Sequence, residues 1–129
     1  MYDKTPIIEM LQSIEETLLF LLERTAEIKS AGDFTSTPQG VEKLDFVTIR
    51  LMATGEYIHK INNKTKGELL KNYPEVEWQH VVGFRNFVAH HYFKVDAIDV
   101  FRILQNEVNP LLSTIQKIIA DLNKPLNTK

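Results

Sequence analysis

Apolar residues recur every three or four positions along almost the whole chain. Over residues 1–30 the series Ile7, Leu11, Ile14, Leu18, Leu21, Leu22 and Ile28 keeps that spacing, with glutamates between. This is the pattern of a helix with one face turned inward. Thr5 as cap and Pro6 in the first turn predict its start, and the periodicity carries it to about Ser30. Ala31-Gly32-Asp33 and the Ser/Thr/Pro cluster at 35–38 predict a loop. Thr37 and Pro38 repeat the cap-plus-proline signal for a second long helix to about Ile61, with Leu44, Val47, Leu51, Ile58 and Ile61 in line. Residues 62–74, NNKTKGELLKNYP, read as a connection holding one helical turn. A third helix is expected over about Glu75 to His90. A fourth begins at Asp96 with Asp99 supporting its N-terminal charge, and a fifth runs from Pro110 to about Leu122. Residues 1–4 and 123–129 are expected to fray. No period-two strand pattern competes. The expectation is one all-α domain over residues 1–129, an antiparallel up-and-down bundle of four to five helices.

The third helix breaks the pattern. At 100° per residue, Trp78, Val81, Val82, Val88 and Ala89 fall on one side, and Arg85 falls at the centre of that side. A charge there needs a partner or a wet cavity, and Glu56 on the second helix is a candidate partner. Phe84 and Phe87 point the other way, so the helix is apolar on two sides and needs cover on both. A second copy of the chain is the simplest cover, giving a two-fold homodimer with the third helices near its axis. Asn86 and His90 are four residues apart and share a face. A guanidinium, an amide and an imidazole gathered at one helix end suit an anionic or phosphate group. They also suit a purely structural reading, with Arg85 satisfied by Glu56 and His90 complementing the helix dipole.

Charge and composition narrow the classes. The net charge of −2 does not suit a broad electrostatic nucleic-acid binder. The charge is uneven, however: residues 1–35 hold seven acids and three Lys/Arg, while residues 57–94 hold six Lys/Arg and three acids. All four histidines, His59, His80, His90 and His91, lie in the second segment. Tyr57, Lys60, Lys64 and Lys66 there read as solvated surface before they read as a guide for a polyanion. The sequence has no cysteine, which excludes disulfides, thiolate zinc sites and cysteine nucleophiles. The longest aliphatic and aromatic run, Leu18 to Leu22, is far too short to span a bilayer. No basic leader precedes an apolar stretch at the N-terminus, so a cytoplasmic protein is expected. EYIH (Glu56 to His59) and EWQH (Glu77 to His80) are both Glu-x-x-His, the motif of carboxylate-bridged di-iron bundles. That site also needs inward glutamates from two further helices. Glu9, Glu15, Glu16, Glu23 and Glu27 lie mostly off the first helix's apolar line, and the last helix has none, so no metal or cofactor is expected.

The stretch YPEVEWQHVVGFRNFVAHHYFKVDAIDVFRILQNEVNPL, Tyr73 to Leu111, resembles the signature region of the HepT-like branch of the HEPN superfamily. The family pattern R-x-x-x-x-H-x-Y reads here as Arg85, His90 and Tyr92, with Asn86 following the arginine. Pro74 and Trp78 stand in the flanking turn. The family's usual glycine between His and Tyr is His91 here, which would either crowd Tyr92 or add a second imidazole. The resemblance implies a small helical dimer that is a metal-independent endoribonuclease, the toxin of a HepT/MntA-type toxin–antitoxin pair. Its substrate would be RNA, such as tRNA or mRNA. Its partner would be an antitoxin nucleotidyltransferase that attaches AMP to Tyr92. In that reading Arg85, Asn86 and His90 are catalytic: His90 for acid–base work, Arg85 for phosphorane charge, Asn86 for orienting His90. The alternative is a non-catalytic binding partner of a nucleotidyltransferase.

Overall fold

Asp3, not Thr5, caps the first helix: its carboxylate accepts from the Thr5 amide at 3.0 Å. In the computed structural model, which describes residues 2–124, six α-helices and two short 3-10 turns follow one another. The expectation of a frayed C-terminal tail falls mainly on residues 125–129, outside the described residues, as does Met1. Helix α1 is Lys4–Arg24, six residues shorter at its end than the periodicity suggests. Thr25 stops it, its hydroxyl donating to the Leu21 carbonyl at 2.7 Å while its amide takes the same oxygen. A side chain that satisfies the last carbonyls competes with further helical turns.

The segment expected as a loop contains a short helix, α2 (Gly32–Thr35), whose Phe34 is wholly buried. One apolar residue among polar ones carries no periodicity, so the sequence pattern missed it. Helix α3 (Pro38–Lys64) begins as expected, with the Thr37 hydroxyl accepting from the Gly40 amide at 2.9 Å. Gly40 is also where α2 meets α3: a Cβ there would lie 2.1 Å from the Asp33 carbonyl oxygen. The helix ends at Thr65. Lys66 (φ 54°) and Gly67 (φ 75°) then reverse the chain in the left-handed region.

A 3-10 turn (Leu70–Asn72) is the single turn expected in the connection. Helix α4 (Trp78–His91) starts three residues later than expected, because the Trp78 indole N–H is donated back to the Tyr73 carbonyl at 2.9 Å and closes the turn around Pro74. Asp96 caps α5 (Ala97–Asn106) as expected, accepting from the Ile98 amide at 2.9 Å. Helix α6 (Val108–Leu122) begins two residues before Pro110. Proline is tolerated there because amides of the first turn have no intrahelical partner.

Helix α3 is central, packing on α1, α2, α4 and α5, while α6 packs on α1 and α5. The core holds the expected lines: Ile7, Leu11, Ile14, Leu18 and Leu21 of α1 with Val47, Leu51, Ile58 and Ile61 of α3 are buried. Among the described residues no helix is long and apolar enough to cross a membrane. Tyr73 ties the α4 turn to α6, its hydroxyl donating to Asp121 Oδ2 at 2.7 Å. Burial and this bond hold the phenol protonated well above the usual range, and the same bond holds the Asp121 carboxyl below its usual range. Tyr73→Phe is expected to cost about 1 kcal/mol in urea unfolding at neutral pH. A depressed carboxyl stabilises above its unfolded pKa and loses that contribution as pH falls through the folded one. The difference between wild type and Tyr73→Phe should therefore shrink in acid. An unchanged difference would mean that Asp121's charge plays no part.

Candidate active site

Helix α4 is held close to α3 at a point where α3 has no side chain. A Cβ on Gly55 would sit 2.6 Å from Arg85 Cβ and 2.8 Å from the Val81 carbonyl oxygen. The close approach brings Arg85 against Glu56, the next residue of α3. Arg85 Nε donates to Glu56 Oε1 at 2.7 Å, and Nη2 lies 2.6 Å from the same oxygen. Nη1 donates to the side-chain oxygen of Asn86. The Arg85 and Glu56 side chains are 30% and 37% exposed, so the pair stands at the edge of the core, not within it. Five guanidinium N–H groups serve Arg85. Hydrogen bonds to Glu56 and Asn86 engage Nε–H and one N–H of Nη1, while Nη2 faces Glu56 as an ion pair.

His90 lies one turn beyond Asn86. Its Nδ1 is 3.0 Å from the Asn86 main-chain oxygen. A carbonyl oxygen only accepts, so the proton belongs on Nδ1 and Nε2 is left as the free basic nitrogen. Asn86 thus reaches His90 through its backbone, while its side chain attends to Arg85. The His91 ring packs on Phe87, centroids 5.2 Å apart, and 6.5 Å from the His90 ring. With φ −140° at His91, the backbone makes no demand for glycine there.

Tyr92 opens the second 3-10 turn (Tyr92–Lys94) and swings back to α3, where its hydroxyl donates to Asp45 Oδ1 at 2.6 Å. Asp45 is a residue the sequence reading missed. Only part of its signal was legible: Asp45 and Glu56 are eleven residues apart, about 20° on a helix wheel, so they share one line of α3. The Asp45 hydrogen bond, more than burial, raises the Tyr92 pKa above the ordinary 10.0. Asp45→Asn is expected to bring the Tyr92 phenolate in at lower pH, followed by phenolate absorbance in difference against Tyr92→Phe. A raised tyrosine pKa stabilises below the unfolded value of 10.0 and is lost as pH rises through the folded one. The contribution of the Asp45–Tyr92 contact should therefore be lost as pH rises into strong alkali. No change in the titration would break the link.

Two expectations about α4 need correcting. Phe84 does not point away from the core: it packs against it and lines a cavity of about 410 Å³ with Val81, His80 and Leu111. Ala89, expected inside, is exposed, and of this side only Val88 is fully buried. The helix rides half out of the bundle, with Arg85 at its waterline. The side chains of the two Glu-x-x-His pairs are engaged separately. Glu56 holds Arg85, His59 is hydrogen-bonded to Asn63 at 3.2 Å, and His80 pairs with Glu107 at 3.2 Å. Among the described residues no group of three or more metal-ligating side chains is gathered.

A family model for HepT-like ribonucleases matches residues 7–118, which takes in both helices of this site. The chain belongs to the HepT-like ribonuclease family. It is similar to two proteins of Methanocaldococcus jannaschii. "Putative RNase MJ1380" is 21% identical over 94 residues, 69% of this chain and 86% of the relative. "Putative RNase MJ0125" is 28% identical over 82 residues, 63% of this chain and 67% of the relative. No solved structure matches the chain. The candidate residues Arg85, Asn86, His90 and Tyr92 all lie on or just beyond α4, and α3 supplies the acid that each end of the set uses.

Proposed function

We propose that this HepT-like protein is a metal-independent endoribonuclease of the cytoplasm, the toxin of a toxin–antitoxin pair. The observation that carries the reading is the end of α4. An imidazole whose Nε2 is left as acceptor stands there one turn beyond Asn86, which also holds the Arg85 guanidinium. His90 Nε2 takes the proton of a ribose 2′-hydroxyl, and the 2′-oxygen attacks the adjacent phosphorus. The bond to the 5′-oxygen breaks, leaving a 2′,3′-cyclic phosphate and a 5′-hydroxyl. Arg85 donates to the phosphorane oxygens as their charge grows. Glu56 and Asn86 fix the plane of the guanidinium.

The leaving oxygen needs a proton from a second imidazole. His91 or the second copy's His90 supplies it. The dimer has support in exposed apolar groups at this end of α4: Phe93 is 98% exposed, Ile98 62% and Phe87 43%. Burying them between two copies removes a patch that water disfavours. In the same reading the partner nucleotidyltransferase silences the toxin at Tyr92. The phenolic oxygen attacks the α-phosphorus of ATP, pyrophosphate leaves, and the proton passes to Asp45, which already accepts the hydroxyl's hydrogen bond. The added phosphate then repels RNA at the cleft.

The test is cleavage of total cellular RNA by the purified chain in EDTA, before and after treatment with the nucleotidyltransferase and ATP. Cleavage that disappears as the chain gains the mass of AMP is the expected result. The Arg85–Glu56 pair, already neutral, favours one second reading, a non-catalytic partner of the nucleotidyltransferase. AMP-free chain that leaves RNA intact would put that reading first.

A further inference from the structure

Beside the site, α3 carries a second pattern that the reaction does not use. Phe46, Arg50, Tyr57, Lys60 and Lys64 fall within about 80° of one another on the helix wheel. Along this stripe a ring is twice followed by a cation set over it, and Lys64 extends the line. The Arg50 guanidinium lies 5.4 Å from the Phe46 ring centroid, and Lys60 Nζ lies 5.7 Å from that of Tyr57. Helix α1 widens the start of the stripe. Phe20 meets Phe46 edge to face at 5.5 Å, and Arg24 and Arg50 stand over Phe20 at 5.0 and 5.1 Å.

Three facts set these residues apart from ordinary surface. First, among the described residues none of Arg24, Arg50, Lys60 and Lys64 has a carboxylate partner, whereas Lys43, at the edge of the stripe, is paired with Glu27 at 3.1 Å. Second, the acid next in the chain to Tyr57 is Glu56, and Arg85 neutralises it. Third, the chain as a whole is acidic, with net charge −2, so an unpaired basic line is a local exception. Lys60 and Lys64 are exposed and Phe46, Arg50 and Tyr57 half-buried, so the charges are open to a ligand and the rings are partly so.

We propose that this stripe is a binding track for single-stranded RNA, an inference that rests on the ribonuclease reading. Cations a few residues apart neutralise successive phosphates, while aromatic and guanidinium faces stack on bases of any sequence. Duplex RNA hides those base faces, so the rings select against it. From Phe46 to Lys64 the helix rises about 27 Å. That is room for roughly eight nucleotides at a stacked rise of 3.4 Å, inside the usual range of single-strand site sizes. The track passes Glu56 and so delivers the strand beside Arg85. The pattern implies substrates cut in unpaired segments such as loops.

The test uses the full chain carrying His90→Ala, so that RNA survives, and a labelled oligouridylate of about a dozen nucleotides. Anisotropy is followed against salt. Lys60→Ala with Lys64→Ala should lower the log–log salt slope by about 1.4, two phosphates' worth for a single strand. Tyr57→Leu should weaken binding about tenfold with the slope unchanged, and leave any binding of duplex RNA alone. The two lysines are exposed, so their variant keeps the fold and decides the matter if Tyr57→Leu does not. Unchanged single-strand affinity and slope in the lysine variant, with RNA cleavage by wild type, would overturn the track and leave the ribonuclease standing. Track-dependent binding with no cleavage by wild type would do the reverse. No binding by the parent chain would overturn the track.

Discussion

His90→Ala is expected to lower RNA cleavage by a factor of about 10²–10⁴, the usual worth of a positioned acid–base group. The fold should not notice. His90 is exposed, and its one hydrogen bond among the described residues runs to a carbonyl of its own helix. Arg85 separates chemistry from architecture less cleanly, because Arg85→Ala strands Glu56 at the edge of the core. Arg85→Lys is the sharper comparison. An ammonium keeps the charge opposite Glu56 but cannot serve Glu56, Asn86 and a phosphate together from one plane. It should keep most of the stability and lose most of the rate. Cleavage by His90→Ala at the wild-type rate would remove His90 from the reaction.

How much of this could be read from the sequence depends on what each feature rests on. Helices α1 and α3 were legible because each repeats an apolar face over many turns, and caps such as Thr37 and Asp96 announce themselves chemically. The Arg85–Glu56 pair was legible as a candidate because a charge in an apolar stripe requires a partner. Where a structure rests on one residue the pattern is silent. Phe34 anchors α2 alone, and Thr25 ends α1 through a single hydroxyl. Phe84 and Ala89 were misplaced because the wheel fixes directions around a helix but not how deeply the helix sits. Asp45 was missed because its partner, Tyr92, lies beyond the helix end, and only the turn after α4 decides where that ring goes.

The depth of α4 comes back to Gly55, and the second large effect follows from it. Gly55→Ala should gain about 1 kcal/mol of helix propensity. Its methyl, however, arrives 2.6 Å from Arg85 Cβ and 2.8 Å from the Val81 carbonyl, atoms fixed to the facing backbone, not the ends of flexible chains. Overpacking of this kind costs about 1–3 kcal/mol, and rigid neighbours put the cost at the upper end. The net is a loss of about 1–2 kcal/mol, read as roughly 3–5 °C of melting temperature per kcal/mol. The rate should suffer more. The helices relieve the clash by parting, which carries Arg85 away from Glu56, and a displacement of about 1 Å at a reacting group can cost around 10²-fold. Gly83 on α4 supplies the control, since a Cβ there meets nothing within 4 Å. Gly83→Ala, melted at a dilution where the chain sediments as a monomer, should stabilise by about 1 kcal/mol. The same substitution on two facing helices thus has opposite signs. If Gly55→Ala raised the melting temperature as Gly83→Ala does, the close approach of α3 and α4 would not be what holds the site together.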